Sequence, residues 1–140
     1  MKKRRLIITL IVFLLLFVGV VTAYYIYNKP HLNIMKSEAA YTVKASELLN
    51  EFEIDLAAAS EKYVNKVVLV SGKVQSIRVT KNNINVQLAG EGDFFGVNCS
   101  FAIEQQKDVE KIKMGDQVEV KGECKGYIDD VVLNNCILVN

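Results

Sequence analysis

A block of 22 residues, 6–27, contains no charged side chain, and only Thr9, Gly19 and Thr22 in it fall outside the hydrophobic set. As an α-helix rising 1.5 Å per residue it would be about 33 Å long, against about 30 Å for the hydrocarbon core of a bilayer. The block therefore predicts one membrane-spanning helix. The 113 residues that follow it suffice for one modest domain and leave no room for two.

The charges around the block predict its orientation. Residues 2–5 are Lys-Lys-Arg-Arg, and only scattered lysines follow the block on its other side. The positive-inside rule then keeps residues 1–5 in the cytoplasm. Tyr24, Tyr25 and Tyr27 lie at the far end, where amphipathic rings favour the headgroup level. We therefore predict a single-pass signal anchor in the cell (inner) membrane, with the soluble part periplasmic or otherwise extracytoplasmic.

Two other kinds of exported protein share this kind of N-terminus. In a cleaved secretory signal, the Val21-Thr22-Ala23 segment would be the peptidase site, although the apolar run before it is slightly longer than usual. A lipoprotein needs a cysteine at the end of the block, and the first cysteine in the chain is Cys99. Cleaved or retained, the segment predicts export of the domain.

The residues of the soluble part argue against catalysis. Its single histidine, His31, lies in a spacer predicted over 28–44, so no Cys-His or Ser-His arrangement is available in the domain. Its two groups of neighbouring carboxylates, Asp129-Asp130 and the Glu51/Glu53/Asp55 set, fit a turn and a solvated helix face. We predict a protein that is not an enzyme and that uses no metal and no cofactor.

An amphipathic helix is predicted after the spacer. Ser46 is a suitable N-cap, and apolar residues then recur at intervals of three and four, at positions 48, 49, 52, 56, 59 and 63. Asp55 precedes three alanines and can start a second short helix, so a break near residues 53–55 is compatible with the pattern.

After Asn65 the hydrophobic period falls from 3.6 to 2, which is typical of strands. The pattern predicts five strands over 67–80, 83–88, 95–101, 117–128 and 131–139, with a helical segment over 104–112 between the third and the fourth. Gly72 lies inside the long first strand, where it suits a bend that lets one strand serve both sheets of a small barrel. This order predicts a mostly β, small α+β domain over 45–140: a five-stranded OB-fold barrel with an N-terminal amphipathic helix.

Three segments of the sequence resemble a particular family of OB-fold proteins. AASEKYVNKVVLVSGKV (58–74), Cys-Ser-Phe at 99–101 and KMGDQVEVKGECKGYIDDVVLNNCIL (113–138) together resemble the tRNA_anti-like family of bacterial exported or membrane-attached OB-fold proteins. The resemblance covers roughly residues 45–140. The resemblance implies the barrel fold and a location outside the cytoplasm, and it implies no catalytic residue.

The three cysteines share strand faces with apolar residues and are predicted to point inward. A last hairpin centred on Asp130 would place Cys124 opposite Cys136, at a separation that a disulfide can bridge. In an oxidising compartment this predicts a Cys124–Cys136 disulfide. Pairing of Cys99 with Cys136, and three reduced buried thiols, remain as alternatives, whereas their spacing does not favour a zinc site.

OB barrels commonly bind ligands across their second and third strands. The outward or edge residues there are mainly polar, and they form the predicted ligand face: Arg78, Lys81, Asn83, Asn85, Gln87, Phe94, Asn98 and Ser100. The soluble part has net charge −3, because 13 Lys and Arg face 16 Asp and Glu, and the face has few aromatic rings. We therefore predict a binding module for an envelope protein, peptide or glycan, with single-stranded nucleic acid (tRNA or oligonucleotide) as the alternative ligand.

Overall fold

The computed structural model of the protein describes residues 1–27, 33–90, 92 and 94–139. It contains two compact units, residues 1–32 and residues 33–140. His31 lies outside the described residues, as do Glu91 and Asp93 of the turn predicted at 90–93.

The first unit is a single helix, α1 (Lys2–Tyr27), of 26 residues. Its most apolar 18-residue window has a mean hydropathy of 3.0, and its side chains are exposed along its length. The hydroxyls of Thr9 and Thr22 donate to the carbonyls of Arg5 and Val18, at 2.8 and 2.7 Å. The helix satisfies these hydroxyls internally, which suits an apolar solvent, and it is long and apolar enough to cross a bilayer.

The second unit is the predicted OB-fold barrel with one additional strand. Its elements, in chain order, are β1 (Tyr41–Lys44), α2 (Ala45–Ile54), α3 (Leu56–Tyr63), β2 (Val67–Val79), β3 (Asn83–Ala89), β4 (Gly96–Ala102), a 3₁₀ turn (Ile103–Gln105), α4 (Gln106–Val109), β5 (Gln117–Tyr127) and β6 (Val131–Leu138). The strand order is β1-β2-β3-β4-β6-β5, and pairing of β2 with β5 closes the barrel.

Strand β2 serves both sides of the barrel, as its length and glycine predict. Residues 67–73 pair with β5, and residues 74–79 pair with β3. The irregularity in the ladder lies between Val74 and Ser76, slightly after Gly72. Gly72 has a packing role: a Cβ there would lie 2.9 Å from the Cβ of Ala45, so its absence lets the start of α2 approach the sheet.

Strand β1 was not predicted, because its four residues are too few for a pattern in the sequence. It lies within the segment interpreted as a spacer and pairs with β2 in parallel, Tyr41 opposite Val68. The amide of Ala40 extends this ladder by donating to the carbonyl of Val67 at 2.8 Å. Earlier in the segment, the Lys121 ammonium donates to the carbonyl of Ser37 at 3.0 Å. Described residues just before β1 are therefore tied to the barrel.

The two helices follow the predicted pattern, with one shift at their start. The break near residue 55 is confirmed: α2 ends at Ile54, and the Asp55 carboxylate caps α3 by accepting from the amide of Ala58 at 3.0 Å. The prediction that Ser46 caps α2 is wrong, because β1 leads directly into the helix and Lys44 occupies the cap position. The apolar face of α2 covers the core with Leu48, Leu49 and Phe52, all nearly inaccessible.

Two boundaries after β3 differ from the sequence prediction. The helical segment predicted over 104–112 is a 3₁₀ turn followed by a single turn of α-helix that ends at Val109. The third strand was predicted to begin at Phe95, but β4 begins at Gly96 and Phe95 is 49% exposed. The Gly90 amide donates to the carbonyl of Phe95 at 3.1 Å, which assigns Phe95 to the turn.

The cysteines are buried, as their strand parity predicts, and all three are free thiols in the structure. The register from which we predicted the Cys124–Cys136 pair is wrong. Irregularities at residues 121–123 and 124–126 shift the β5–β6 ladder, so Cys124 lies opposite Leu133. Cys136 faces Gly122 instead: a Cβ on Gly122 would lie 2.7 Å from the Cys136 sulfur.

Candidate ligand-binding face

The outward face of the β2–β3–β4–β6 sheet carries two rows of polar side chains. In one row, Arg78 lies opposite Asn85, which lies opposite Ser100. The second row runs across Ser76, Gln87 and Asn98 and ends at the apolar Val132 of β6. Neighbouring strands are about 4.8 Å apart, so the three strands that carry these polar residues form a face about 10 Å wide. The register thus brings together the predicted Arg78, Asn85, Gln87, Asn98 and Ser100.

The amide side chains of this face differ in whether they already form hydrogen bonds within the protein. Gln87 accepts from the Ser76 hydroxyl at 3.3 Å and donates to the Asp130 carboxylate at 3.3 Å. Asn83 is engaged with Thr80 in the β2–β3 turn and donates to Ser100 at 3.4 Å. Among the described residues, the side chains of Asn85 and Asn98 have no hydrogen-bond partner. These two amides, half-buried and diagonal to each other, are free to bond to a ligand.

Asp130 was not among the predicted face residues, yet the structure places its carboxylate at the edge of the face. Its Oδ1 accepts from the Gly96 amide at 2.8 Å as well as from Gln87. Asp130 thereby ties the β5–β6 loop to the first residue of β4. The sequence indicated only that Asp130 belongs to a turn, since a contact across 34 positions leaves no local pattern.

The two ends of the face differ chemically. Arg78 and Lys81 are exposed at the β2–β3 end, and no carboxylate of the described residues lies within salt-bridge distance of either. Phe94 and Phe95 are 84% and 49% exposed in the β3–β4 turn. The seven residues of β3 separate these ends by about 20 Å at 3.3 Å per residue. A ligand that follows β3 would therefore meet a cationic end, free amides and then aromatic rings.

Two of the other carboxylates singled out in the sequence, Glu51 and Asp55, have structural roles. Glu51 on α2 accepts from the Lys62 ammonium on α3 at 2.8 Å. This hydrogen bond lowers the pKa of Glu51 and raises that of Lys62. The Lys62 ammonium also lies 4.7 Å from the ring centroid of Tyr63, whose hydroxyl pKa is raised by burial. Together with the cap at Asp55, these contacts join the two helices.

No group of three or more His, Cys, Asp or Glu residues in the described part of the chain is arranged to hold a metal ion. The chemistry available on the face is hydrogen bonding, stacking and weak cationic attraction.

Comparison with known protein families identifies the chain. The model of the tRNA_anti-like family matches residues 1–138, nearly the full length. The chain belongs to the tRNA_anti-like family. The match includes the apolar N-terminal segment as well as the barrel.

The chain is similar to several solved structures, and the first of the following three shares its fold. A lipoprotein of Klebsiella pneumoniae subsp. pneumoniae, to which nucleic acid binding is ascribed, is 20% identical, with a TM-score of 0.61 over 80% of this chain and 100% of the other. The replication factor A related protein of Methanobacterium thermoautotrophicum is 16% identical, with a TM-score of 0.45 over 58% of this chain and 87% of the other. Asparaginyl-tRNA synthetase of Entamoeba histolytica is 16% identical over 54% of this chain and 21% of that enzyme, with a TM-score of 0.42. Comparison with curated protein sequences gave no match.

Proposed function

We propose that this tRNA_anti-like protein is a membrane-anchored binding module without catalytic activity, which displays its OB barrel outside the cytoplasm. Its ligand is an extended, largely uncharged polymer of the cell envelope, a glycan strand or an extended peptide segment, bound across β3 and β4. The observation that carries the proposal is the pair of unpartnered, half-buried amides, Asn85 and Asn98, at the centre of the face.

The amide group suits such a ligand because it offers donors and an acceptor without charge. Sugar hydroxyls and peptide groups present the complementary donors and acceptors, and OB barrels are known to bind oligosaccharides as well as oligonucleotides. The exposed ring of Phe94 adds an apolar surface on which a sugar or a side chain can stack.

The charges around the face support an uncharged ligand over a polyanion. The Asp130 carboxylate lies beside Gln87, and phosphates passing there would meet a like charge. Nucleic-acid affinity depends largely on neutralising phosphates with Lys and Arg, and this face offers Arg78 and Lys81 at one end only. The soluble part is also net acidic.

The external location rests on α1 and on the four basic residues before its apolar stretch. The helix is long and apolar enough to span a bilayer, and the basic flank favours the cytoplasmic side. The family match over the segment and the likeness to a lipoprotein support an envelope protein.

Photo-crosslinking from the face tests this function. A photoreactive residue replaces Asn85 or Asn98 in the full-length protein in intact cells, and the control position is Asn50, an exposed residue on α2. We expect adducts from both face positions that glycosidase or protease digestion reduces, and none from position 50. Equal labelling from position 50, or adducts that only nuclease removes, would contradict the proposal.

The ligand captured in this way allows an affinity measurement. The double variant Asn85→Ala/Asn98→Ala is expected to bind it about 10- to 100-fold more weakly, since each lost hydrogen bond costs about 1 kcal/mol. Asn50→Ala should bind like the wild type. An affinity unchanged in the double variant would contradict binding through these two amides.

Single-stranded nucleic acid is the second candidate ligand. Arg78, Lys81 and the exposed Phe94 favour it, because a cationic groove and an aromatic platform are what a single strand requires. Nucleic acid binding is also the property ascribed to the Klebsiella lipoprotein that shares the fold.

The variant Asp130→Asn separates the two candidates. Asparagine can still accept from the Gly96 amide, so the fold is kept while one negative charge leaves the face. We expect no retention of wild type on single-stranded DNA or RNA at physiological salt, and several-fold stronger retention of Asp130→Asn than of wild type at low salt. Salt-sensitive retention of the wild type at physiological salt that Arg78→Ala/Lys81→Ala abolishes would establish nucleic acid as the ligand.

A further inference from the structure

An apolar groove lies between α3 and the β5–β6 hairpin. Its volume is about 580 Å³, and sites that bind small ligands usually measure about 300–1,000 Å³. Most of its surface comes from Leu56, Ser60, Val64, Tyr127, Ile128 and Val132. Leu56 and Ile128 are 52% and 82% exposed. Apolar residues grouped on the surface in this way mark an interaction site more often than apolar residues scattered singly.

The two walls of the groove are joined by backbone hydrogen bonds. The amide of Asn65, just after α3, donates to the carbonyl of Cys124 on β5 at 2.8 Å, and the amide of Cys124 donates to the carbonyl of Lys66 at 3.0 Å. Helix and strand also approach closely, since a Cβ on Gly126 would lie 4.0 Å from a methyl carbon of Val64. The groove is therefore formed before any ligand binds, which lowers the cost of binding.

The groove begins where the candidate ligand-binding face ends. Val132, the apolar end of the second row of the face, also lines the groove. It pairs with Asn98 on the neighbouring strand, so about 4.8 Å separates that free amide from the groove. Asn85, diagonal to Asn98 on β3, is about 12 Å from Val132. Three or four residues of an extended chain, at about 3.3 Å each, cover that distance.

From this continuity we infer that the ligand of the face is an extended peptide segment of an envelope protein. Its backbone bonds to Asn85 and Asn98, and a neighbouring apolar side chain lies in the groove. The inference rests on the proposed function and chooses between the two polymers named there. A peptide suits both surfaces, because its backbone groups are uncharged donors and acceptors and its apolar side chains gain free energy on burial.

The lining of the groove argues against other ligands. Among the described residues that line it, Ser60 supplies the one uncharged polar side chain, and the Lys125 ammonium already donates to the Glu123 carboxylate at 2.7 Å. Sugar hydroxyls in the groove would lose water without gaining enough partners, which costs free energy. A lipid acyl chain suits the groove but offers nothing to the amides of Asn85 and Asn98.

Photo-crosslinking from both surfaces tests the inference. A photoreactive residue replaces Asn98 on the face or Ser60 in the groove of the full-length protein in intact cells, and mass spectrometry maps the adducts. The control position is Met114, which is 70% exposed and lines neither surface. We expect Asn98 and Ser60 positions to label one segment of the same envelope protein, at sites within about six residues of each other. The site labelled from position 60 should be at or beside an apolar residue, and position 114 should not label this segment.

The other outcomes separate the inference from the proposed function. Adducts from position 98 that glycosidase removes, with no peptide adduct from position 60, would support the proposed function and overturn the inference. Phospholipid adducts from position 60, or adducts there to a second copy of this chain, would also overturn it. No adduct from either position would contradict the proposed function together with the inference.

The captured peptide, once synthesised, allows a measurement of the groove contact itself. Exchanging its groove residue for serine should weaken binding to wild type by about 10-fold or more, since burial of an apolar side chain is lost. In Ile128→Ser the same exchange should weaken binding by only about threefold, because part of the apolar contact is already absent.

Met114→Ser is the matched control and should reproduce the wild-type difference. Both substituted side chains are largely exposed, so neither variant should lose its fold. An exchange that weakens binding to Ile128→Ser as much as to wild type would overturn the placement of the peptide side chain in the groove.

Discussion

Replacing Gly96 by alanine is expected to leave little folded barrel. A Cβ at this position would lie 1.9 Å from the carbonyl oxygen of Leu88 and 3.0 Å from its carbonyl carbon. These are backbone atoms inside the β3–β4 ladder, where Gly96 pairs with Ala89, so no rotamer change relieves the overlap. The strands must separate, and the Gly96 amide must then leave the Asp130 carboxylate.

The cost of this change should exceed the 1–3 kcal/mol usual for overpacking, because the obstacle is main chain. A cost above this range removes a large part of the stability of a small domain, which is about 5–15 kcal/mol. Near-ultraviolet circular dichroism of the full-length protein in detergent should show loss of the fixed environment of its core tyrosines. Ser100→Ala, on the outward face of the same strand, is the control and should cost about 1 kcal/mol or less. A cooperative transition in Gly96→Ala near that of wild type would show that β3 and β4 are farther apart than described.

Phe52→Ala is expected to lower the free energy of unfolding by about 3–5 kcal/mol, the usual cost of removing a buried aromatic ring. Phe52 is 1% exposed at the centre of the α2 apolar face. Its ring stacks on Tyr127 of β5 with centroids 5.9 Å apart and contacts Tyr63 of α3 at 6.0 Å. The substitution leaves a cavity where both helices meet the barrel.

Thermal unfolding of the full-length protein, followed through the tyrosine signal, measures this loss. For a domain of about 100 residues each kcal/mol moves the midpoint by about 4–8 °C, so a fall of more than 10 °C is expected. Phe94→Ala is the matched control, because that ring is 84% exposed, and its midpoint should change by no more than a few degrees. Equal midpoints for the two variants would mean that α2 does not cover the core.

The barrel was predictable from the sequence because its strands carry a clean alternation and its helices a clean 3.6-residue period. Ile84, Val86 and Leu88 show this: they alternate with polar residues and are all buried. The same alternation placed Asn85 and Asn98 on one outward face, and the observed register confirms that placement. Periodicity is a local property, and it identifies the face without identifying what binds there.

The features that could not be predicted depend on register and on distant contacts. One-residue irregularities in the β5–β6 ladder place Cys124 opposite Leu133 and away from Cys136. The alternation of polar and apolar residues in the sequence does not show such irregularities. The contact of Asp130 with Gly96 and Gln87 joins segments far apart in the chain, so the face acquired a carboxylate that no local pattern suggested. Strand β1 is too short to show a period, and it forms because β2 offers an edge.

That position of β1 determines how the barrel bears mechanical load. The chain enters the domain through residues 33–40 and runs at once into β1, which lies parallel to β2. A pull on the N-terminal segment along this strand stretches the β1–β2 hydrogen bonds together, in shear, and does not peel them one at a time. The hydrogen bonds from Lys121 to Met35 and Ser37 share the load ahead of the strand. Tension applied to the N-terminal segment would thus be borne at an edge of the sheet remote in sequence from Asn85 and Asn98.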